Sequence, residues 1–292
     1  MKTEHEMKGP LAGMKVIDLT TVVMGPYASQ TLAEYGAEVI KIEAPGGDST
    51  RQIGPELEVG MASLFLAVNR NKRSVVLDLK TDEGRAALLA LVKDADVFMH
   101  NMCPEKLRAL DLGASRLRQL NPRLVFAELT GFSSSGPYAG LPAYDDVIQG
   151  LSGLAAMMER QIGEPRYMPT TLADKVGSMV AAGAIMAALV RRATSGEGAT
   201  VEIPMFEAVV SFGLVEHAQG ALFDPPVSAV GYKRAFASHR KPFATADGHI
   251  CVMPYSDAHW RSILNAFNDC EAGQDPRYAS LSDRTKNIDS LY

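Results

Sequence analysis

Short apolar runs alternate with longer segments of helical spacing from Lys15 to about Pro204. Runs such as Lys15–Leu19 and Val39–Ile42 predict buried strands, and the segment between them predicts a helix that starts at Pro26 and ends at Gly36. Further strands are predicted at Ser74–Leu79, Asp96–Met99, Arg123–Leu129 and Val201–Pro204. Strand, helix, strand repeated in this way predicts an α/β fold with a mostly parallel, Rossmann-like sheet.

The pattern changes after about Pro225. Lys241–Thr245 and His249–Met253 are joined through an Asp-Gly pair, which predicts a β-hairpin, and Asp257 is expected to cap the helix that follows. We therefore expect a large α/β domain over residues 1–222 and a smaller α+β domain over 223–292. Because the chain stops inside a helical pattern that starts near Ser282, the smaller domain is expected to be truncated.

Composition narrows the function classes. The chain has 292 residues, is 47% hydrophobic and carries a net charge of −5, which argues against general nucleic-acid binding. Three widely spaced cysteines (Cys103, Cys251 and Cys270) form no disulfide framework, and Met1–Pro10 has no apolar signal core. The longest apolar run, Val176–Val190, is shorter than the roughly 20 residues of a membrane span. A cytoplasmic protein without a membrane segment is expected.

Several catalytic motifs are missing from the sequence. The turn after the first strand is Thr20–Pro26 and lacks the GxGxxG of a dinucleotide site, which disfavours an NAD-dependent oxidoreductase. No GxSxG motif occurs, and the six histidines form no HExxH pair, so neither a serine hydrolase nor a metal site is predicted. We expect no permanently bound cofactor.

Asp174 precedes a long run of small apolar residues. An aspartate at this position has two interpretations. It could be an ordinary helix N-cap, which is a common role, or an exposed nucleophile whose charge is tuned by the amides of the helix start. Two further segments have the same ambiguity. The cations of Asn69–Arg73 suit either a solvated turn or a phosphate clamp, and Tyr144-Asp145 could be another cap.

Taken together, an ordered set of motifs resembles the class III coenzyme A transferases, the CaiB–BaiF family. The similar segments are Gly13–Leu19 with Gly25-Pro26, Gly36–Glu43, Gly47–Arg51, Asn69–Leu79, Gly131–Tyr138, Tyr144-Asp145 with Gln149, and Ala246–Gly248 with Trp260. Each motif is weak alone, but they occur in the family's order from Gly13 to Trp260.

The resemblance implies a mechanism and a site. Asp174 falls at the family's nucleophilic aspartate, which forms an acyl anhydride and then an aspartyl-CoA thioester before CoA passes to an acceptor carboxylic acid. By the same resemblance, Asp145 is a polar partner of the nucleophile and Tyr144 a wall of the pocket. Residues expected to bind the CoA substrate are Asn69, Lys72, Arg73, Asn101 and Arg108. The family also forms an interlocked homodimer, which is expected here.

This sequence departs from the family pattern in two places. The family's Asn-Phe-Arg-Pro-Gly is Asn101–Glu105 here, with the following cation at Arg108 instead of position 109. Members that act on formyl or oxalyl groups have a glutamine where this chain has Val23, which argues against those substrates.

Two alternatives to a transferase remain open. An acyl-CoA racemase of the same family would need a histidine where Tyr144 stands, and a tyrosine is a poor base at neutral pH. A non-catalytic CoA-binding subunit would require Asp174 to be only a cap.

Overall fold

The computed structural model describes residues 9–267 and 274–292; Cys270 lies outside them. The described residues group into two compact units. The first comprises the described residues within Met1–Ser152 and Pro169–Phe212, and the second those within Gly153–Met168 and Gly213–Tyr292. The division into domains 1–222 and 223–292 stays a prediction, because compactness alone does not show which segments fold independently.

The first unit contains a six-stranded sheet in the order β3-β2-β1-β4-β5-β6, with every neighbouring pair parallel. Its strands are β1 (Lys15–Leu19), β2 (Glu38–Glu43), β3 (Lys72–Val76), β4 (Val97–His100), β5 (Val125–Thr130) and β6 (Thr200–Pro204). The predicted α/β class and parallel sheet are therefore confirmed. The strand order reverses between β1 and β4, and ligands of open α/β sheets bind at such a switch point, beyond the carboxyl ends of the strands.

Helices connect the strands and continue into the second unit. They are α1 (Met24–Glu34), α2 (Ser63–Val68), α3 (Asp82–Lys93), α4 (Pro104–Ala109), α5 (Ala114–Leu120), α6 (Asp145–Leu151), α7 (Leu154–Ile162), α8 (Leu172–Ser195), α9 (Met205–His217), α10 (Lys233–Phe236), α11 (Asp257–Ala266), α12 (Leu281–Lys286) and α13 (Ile288–Leu291). Thr81 caps α3 by accepting the Gly84 amide at 3.1 Å, as its sequence indicates. The predicted helix from Asp145 is interrupted at Gly153, which has φ of 88° and separates α6 from α7.

Strand β3 comprises different residues from those predicted, because its pairing with β2 sets its ends. The apolar run Ser74–Leu79 predicts a strand there, but β3 occupies Lys72–Val76. Its register runs from Val39 opposite Lys72 to Glu43 opposite Val76, where β2 ends. Because a strand lasts only as long as its partner supplies hydrogen bonds, the neighbouring strand sets the ends of β3 rather than the apolar pattern.

The two faces of the sheet are covered differently. Ile17, Phe98 and Phe126 belong to a core cluster with buried leucines of α3, α4 and α5. Side chains alternate along a strand, so Asp18 points to the opposite face, where Ser29 of α1 donates to it at 2.5 Å. Helices α1 and α8 pack against each other, and α8 also contacts β5 and β6.

Helix α8 is long and apolar enough, by length and composition alone, to cross a membrane. Half of its apolar window is buried within the protein, and it carries the buried Asp174 and Arg192. At its far end the Arg192 guanidinium contacts the Asp96 carboxylate at 2.7 Å, just before β4 begins. Because α8 ends beside the beginning of β4, its first turn lies towards the carboxyl ends of the strands.

The second unit contains a short antiparallel hairpin of β7 (Phe243–Ala244) and β8 (His249–Ile250), shorter than the predicted strands. The helix predicted after it is α11, but Asp257 is not its cap. Ser256 accepts the His259 amide at 3.2 Å and forms a capping box with that residue. A separate α+β domain in this part of the chain stays a prediction.

Candidate functional site

The first turn of α8 places Asp174 inside the helix rather than at its cap. The helix starts at Leu172 after Thr171, whose side chain makes no capping bond. The Asp174 amide instead donates to Asp145 Oδ1 at 2.9 Å. Asp145 therefore caps the helix from outside, and the interpretation of Asp174 as an N-cap is wrong. The Asp174 carboxylate is left available for chemistry.

The Asp145 carboxylate is held at both oxygens. Oδ1 accepts the Asp174 amide, and Oδ2 accepts Gln149 Nε2 at 2.6 Å from one turn further along α6. The same Gln149 nitrogen lies 3.2 Å from the carbonyl oxygen of Thr170, just before α8. Asp145 and Asp174 are thus brought together as the resemblance implies.

The surroundings of Asp174 change its acidity. Burial raises the pKa of Asp174 to about 6, and the nearby negative charge of Asp145 adds to the effect. The residue is 9% exposed. A carboxylate with this pKa is still mostly ionised at neutral pH, yet it is more basic than an ordinary aspartate. Such a shift is typical of groups in functional sites.

Helix α1 begins beside Asp174. The Ser178 hydroxyl lies 2.7 Å from the Asp174 carbonyl oxygen and 2.6 Å from that of Met24, the first residue of α1. A Cβ at Gly177 would come within 2.7 Å of the Met24 side chain, so the helices approach closely. Val23, at the cap of α1, makes no side-chain cap bond. Uncapped amides at a helix start are donors for anionic oxygen.

Tyr144 stands immediately before α6 and is 72% exposed. Its ring is therefore free to line a ligand site, as the resemblance implies. Gly131 supports this region, because a Cβ there would meet the Cβ of Ala143 at 2.2 Å. A larger residue at position 131 would displace the segment that carries Tyr144 and Asp145.

The Lys72 side chain is buried and makes hydrogen bonds within the protein, whereas a cation that binds phosphate must be accessible. Its ammonium lies 3.1 Å from Asp18 Oδ2, 2.8 Å from the Pro26 carbonyl oxygen and 2.7 Å from Asn69 Oδ1. Three acceptors use all the donors that an ammonium has, and the side chain is 2% exposed. Lys72 and Asn69 therefore hold the end of β1 to the start of α1, and their predicted contact with CoA has no geometric support here.

The other three predicted CoA ligands have different surroundings. Arg73 is exposed on the outer strand and pairs with Glu38 at 2.8 Å. Asn101 follows β4 and exchanges two hydrogen bonds with the Thr21 backbone, at 3.0 and 2.9 Å, across the switch point of the sheet. Arg108 on α4 is exposed. Asn101 and Arg108 follow β4 at this edge of the sheet, whereas Arg73 does not.

A buried ion network lies under the β1–α1 turn and was not predicted from the sequence. Asp18 is fully buried, and although burial opposes its charge, Lys72 and Lys41 lower the pKa of Asp18 to about 2. Lys41 donates to the Thr20 carbonyl oxygen at 2.8 Å and to Asp48 at 2.9 Å. A charged residue inside the apolar run Lys15–Leu19 was the available signal. Among the described residues, no group of acidic, histidine and cysteine side chains could hold a metal ion.

Comparison with known proteins identifies the family. Residues 11–292 match the model of CoA-transferase family III, so the chain belongs to that family and is an enzyme of the CoA-transferase class. It is 34% identical over 303 residues to the "Probable fatty acyl-CoA transferase Rv3272" of Mycobacterium tuberculosis, covering 100% of this chain and 77% of the relative. It is also 36% identical over 299 residues to an acetyl-CoA:oxalate CoA-transferase of Acetobacter aceti, covering 99% and 75%.

The fold of a family member agrees with this assignment. The crystal structure of a CaiB/BaiF family protein from Brucella suis superposes with a TM-score of 0.80 at 32% identity, over 97% of this chain and 76% of the other. The resemblance seen in the ordered motifs is therefore confirmed.

Proposed function

We propose that this protein is an acyl-CoA:carboxylic acid CoA-transferase in which Asp174 is the covalent nucleophile. The observation that carries the proposal is the buried Asp174 carboxylate, which has Asp145 on its own amide and a raised pKa of about 6. Acyl-CoA and the acceptor acid are the substrates, and no permanently bound cofactor is required. Family membership supports CoA transfer, and the geometry at Asp174 supports the covalent route.

In the proposed reaction Asp174 forms first an anhydride and then a thioester. An Asp174 carboxylate oxygen attacks the thioester carbonyl carbon of the donor, and the carbon–sulfur bond breaks to give an aspartyl-acyl anhydride and CoA thiolate. The thiolate then attacks the aspartyl carbonyl carbon, which releases the donor acid and leaves an aspartyl-CoA thioester. The acceptor carboxylate repeats the two steps in reverse and leaves as its CoA thioester. Covalent catalysis is faster because it splits one difficult transfer of CoA into two easier acyl transfers.

Each residue near Asp174 has a role in these steps. Asp145 keeps the start of α8 in place and makes the nucleophile more basic through its charge. Amides at the uncapped start of α1, next to Met24, are suited to stabilise the tetrahedral oxyanions. Tyr144 forms a wall for the acyl group. Arg108 and Asn101, at the edge of the sheet, are the predicted residues best placed for the nucleotide of CoA.

The proposal extends to assembly and location. Met179 and Val190 on α8 are 72% and 70% exposed, and apolar exposure of this kind supports an interface between subunits. We therefore include a homodimer in the proposal. The cytoplasmic location rests on the sequence alone and is proposed on that basis.

Trapping of the intermediate tests the chemistry. The protein is mixed with a panel of acyl-CoA thioesters, quenched with hydroxylamine or borohydride, and examined by intact-mass and peptide mass spectrometry. We expect modification of the peptide that contains Asp174, and a decrease in kcat/KM below about pH 6 as this carboxylate gains a proton.

Two variants control the experiment. Asp174→Asn is expected to lose the modification and roughly a thousandfold or more of the transfer rate. Asp146→Asn, at the exposed residue next to Asp145, should retain both. An active wild-type enzyme without the modification, combined with deuterium incorporation at the α-carbon, would instead indicate a racemase; retained transfer in Asp174→Asn would disprove the nucleophile.

A further inference from the structure

Gln149 is a buried polar side chain that the proposed reaction does not use directly. It is 0% exposed on α6, whereas Asp145, one helical turn earlier, is only half-buried. Its amide nitrogen donates to Asp145 Oδ2 at 2.6 Å and lies 3.2 Å from the Thr170 carbonyl oxygen. One amide group therefore joins the carboxylate at the start of α6 to the residue that leads into α8.

This contact restricts the orientation of Asp145. A half-buried carboxylate has water as an alternative partner, and its side chain has several staggered rotamers. A short hydrogen bond to an ionised oxygen is among the stronger bonds in proteins. With Oδ2 held by Gln149, Oδ1 remains directed at the Asp174 amide, 2.9 Å away.

We propose that Gln149 is a positioning residue for the nucleophile, which fixes the Asp145 carboxylate on the first turn of α8 and so sets both the location and the charge environment of Asp174. This inference rests on the proposed function of Asp174. In this role Gln149 does not act on the substrate itself; it acts through its contacts with Asp145 and Thr170.

Loss of the Gln149 side-chain amide should lower the pKa of Asp174. Without the Gln149 donor, Asp145 is free to turn towards solvent, and Asp174 loses part of the like-charge repulsion that raises its pKa. The pKa of Asp174 then moves down towards its ordinary value, and the first turn of α8 loses its external cap. The nucleophile becomes less basic and less well placed, and both changes slow the attack on the thioester.

Gln149→Leu and Gln149→Glu test the inference in the complete protein. For the leucine variant we expect kcat to decrease by about tenfold to a hundredfold, since small displacements of reacting groups have effects of that size, with KM for acyl-CoA nearly unchanged. The acid limb of its kcat/KM profile should move about half a pH unit to one unit lower. In Gln149→Glu the new carboxyl group either shares a proton with Asp145 or adds negative charge, so the acid limb should stay at or above the wild-type position.

A matched control separates positioning from folding. Gln30 is also a buried glutamine in the first unit, where its side-chain oxygen accepts the Arg70 amide at 3.0 Å, a contact that involves neither Asp145 nor Asp174. Gln30→Leu should reduce stability without moving the acid limb. If Gln149→Leu behaves in the same way, with an unmoved limb, the inference is wrong.

Trapping experiments on the same variants distinguish this failure from failure of the proposed function. If wild type forms the Asp174 adduct and Gln149→Leu forms it at the wild-type rate, only the role of Gln149 is excluded. If wild type forms no adduct, the nucleophile itself is excluded. If Gln149→Leu does not fold, Gln149→Glu takes its place in the test. An acid limb of its kcat/KM profile below the wild-type position contradicts the proposal.

Discussion

Replacement of Asp174 by asparagine should make the protein more stable at pH 8 while abolishing its reaction. Burial is the first cause of the raised pKa of Asp174, and Asp145 is the second. Both mean that the ionised carboxylate is less favourable in the folded chain than in the unfolded one. An amide of the same shape carries no charge, so it avoids that penalty. Functional sites commonly trade stability for activity in this way.

The size of the gain follows from the pKa. A rise from 3.8 to about 6 is roughly two units, and each unit corresponds to about 1.4 kcal/mol, so the ionised group costs about 3 kcal/mol of unfolding free energy. A carboxylate in the first turn of a helix also gains roughly 0.3–1 kcal/mol from the helix dipole, which asparagine loses. The net expectation for Asp174→Asn is an increase of about 2 kcal/mol at pH 8.

The gain should depend on pH in a defined direction. The folded-state pKa lies above the unfolded one, so between about pH 4 and 6 the folded chain binds more protons than the unfolded chain. Stability of wild type from this group therefore falls as pH rises through that window and then stays level. The difference between variant and wild type should be near zero at pH 4 and reach its full value above pH 7.

Thermal unfolding of both proteins from pH 4 to 8 measures this difference. A gain of 2 kcal/mol corresponds to a Tm increase of about 3 °C for a chain of 292 residues, since the unfolding entropy grows with chain length. Asp146→Asn, at the exposed neighbour of Asp145, should change Tm by less than about 2 °C, within the usual range for surface substitutions. If Asp174→Asn is less stable than wild type at pH 8, the carboxylate must have favourable contacts that offset its burial, and the reasoning fails.

Two other substitutions test the frame around the nucleophile. Lys72→Met removes the cation from the buried Asp18 and should lower the unfolding free energy by about 3–5 kcal/mol, measured by urea denaturation; a loss below about 1 kcal/mol would contradict the buried ion pair. Gly177→Ala should leave Tm nearly unchanged, because a helix gain of about 1 kcal/mol offsets the contact with Met24, yet reduce kcat about tenfold by displacing the start of α1. Gly46→Ala, in an exposed turn after β2 and with no atom within 4 Å of its added Cβ, is the control and should retain full activity; equal kcat in both variants would exclude the displacement.

The sequence predicted the elements of the sheet because strand and helix periods are local properties. Lys15–Leu19 and the helix after it could be assigned from a few residues each. Ends of elements were less well predicted. Thr171 rather than Asp174 precedes α8, and Ser256 rather than Asp257 caps α11, because a cap depends on which side chain reaches an amide.

Contacts between residues far apart in the sequence are the part of the site that could not be predicted from local patterns. Asp145 and Asp174 were both singled out from the sequence, but each had two interpretations, and only the family resemblance made them partners; their hydrogen bond joins residues 29 positions apart. No local pattern states that Gln149 would complete this contact, since a glutamine on a helix is ordinary. A buried polar network is specified by the packing of several elements together, and its members look alike in sequence to solvated residues.

Lys72 shows how a buried counter-ion can look like an anion-binding residue in the sequence; its contact with CoA stays a prediction. In Asn69–Arg73, three cations close together indicate anion binding, yet the alternation of a strand separates Lys72 from Arg73. Arg73 points outward to Glu38, whereas the Lys72 side chain enters the interior, where Asp18 is its counter-ion. A buried carboxylate requires a buried cation, so Asp18 in β1 and Lys72 at the start of β3 are explained together. Their ion pair holds the turn from which α1 begins, beside Asp174.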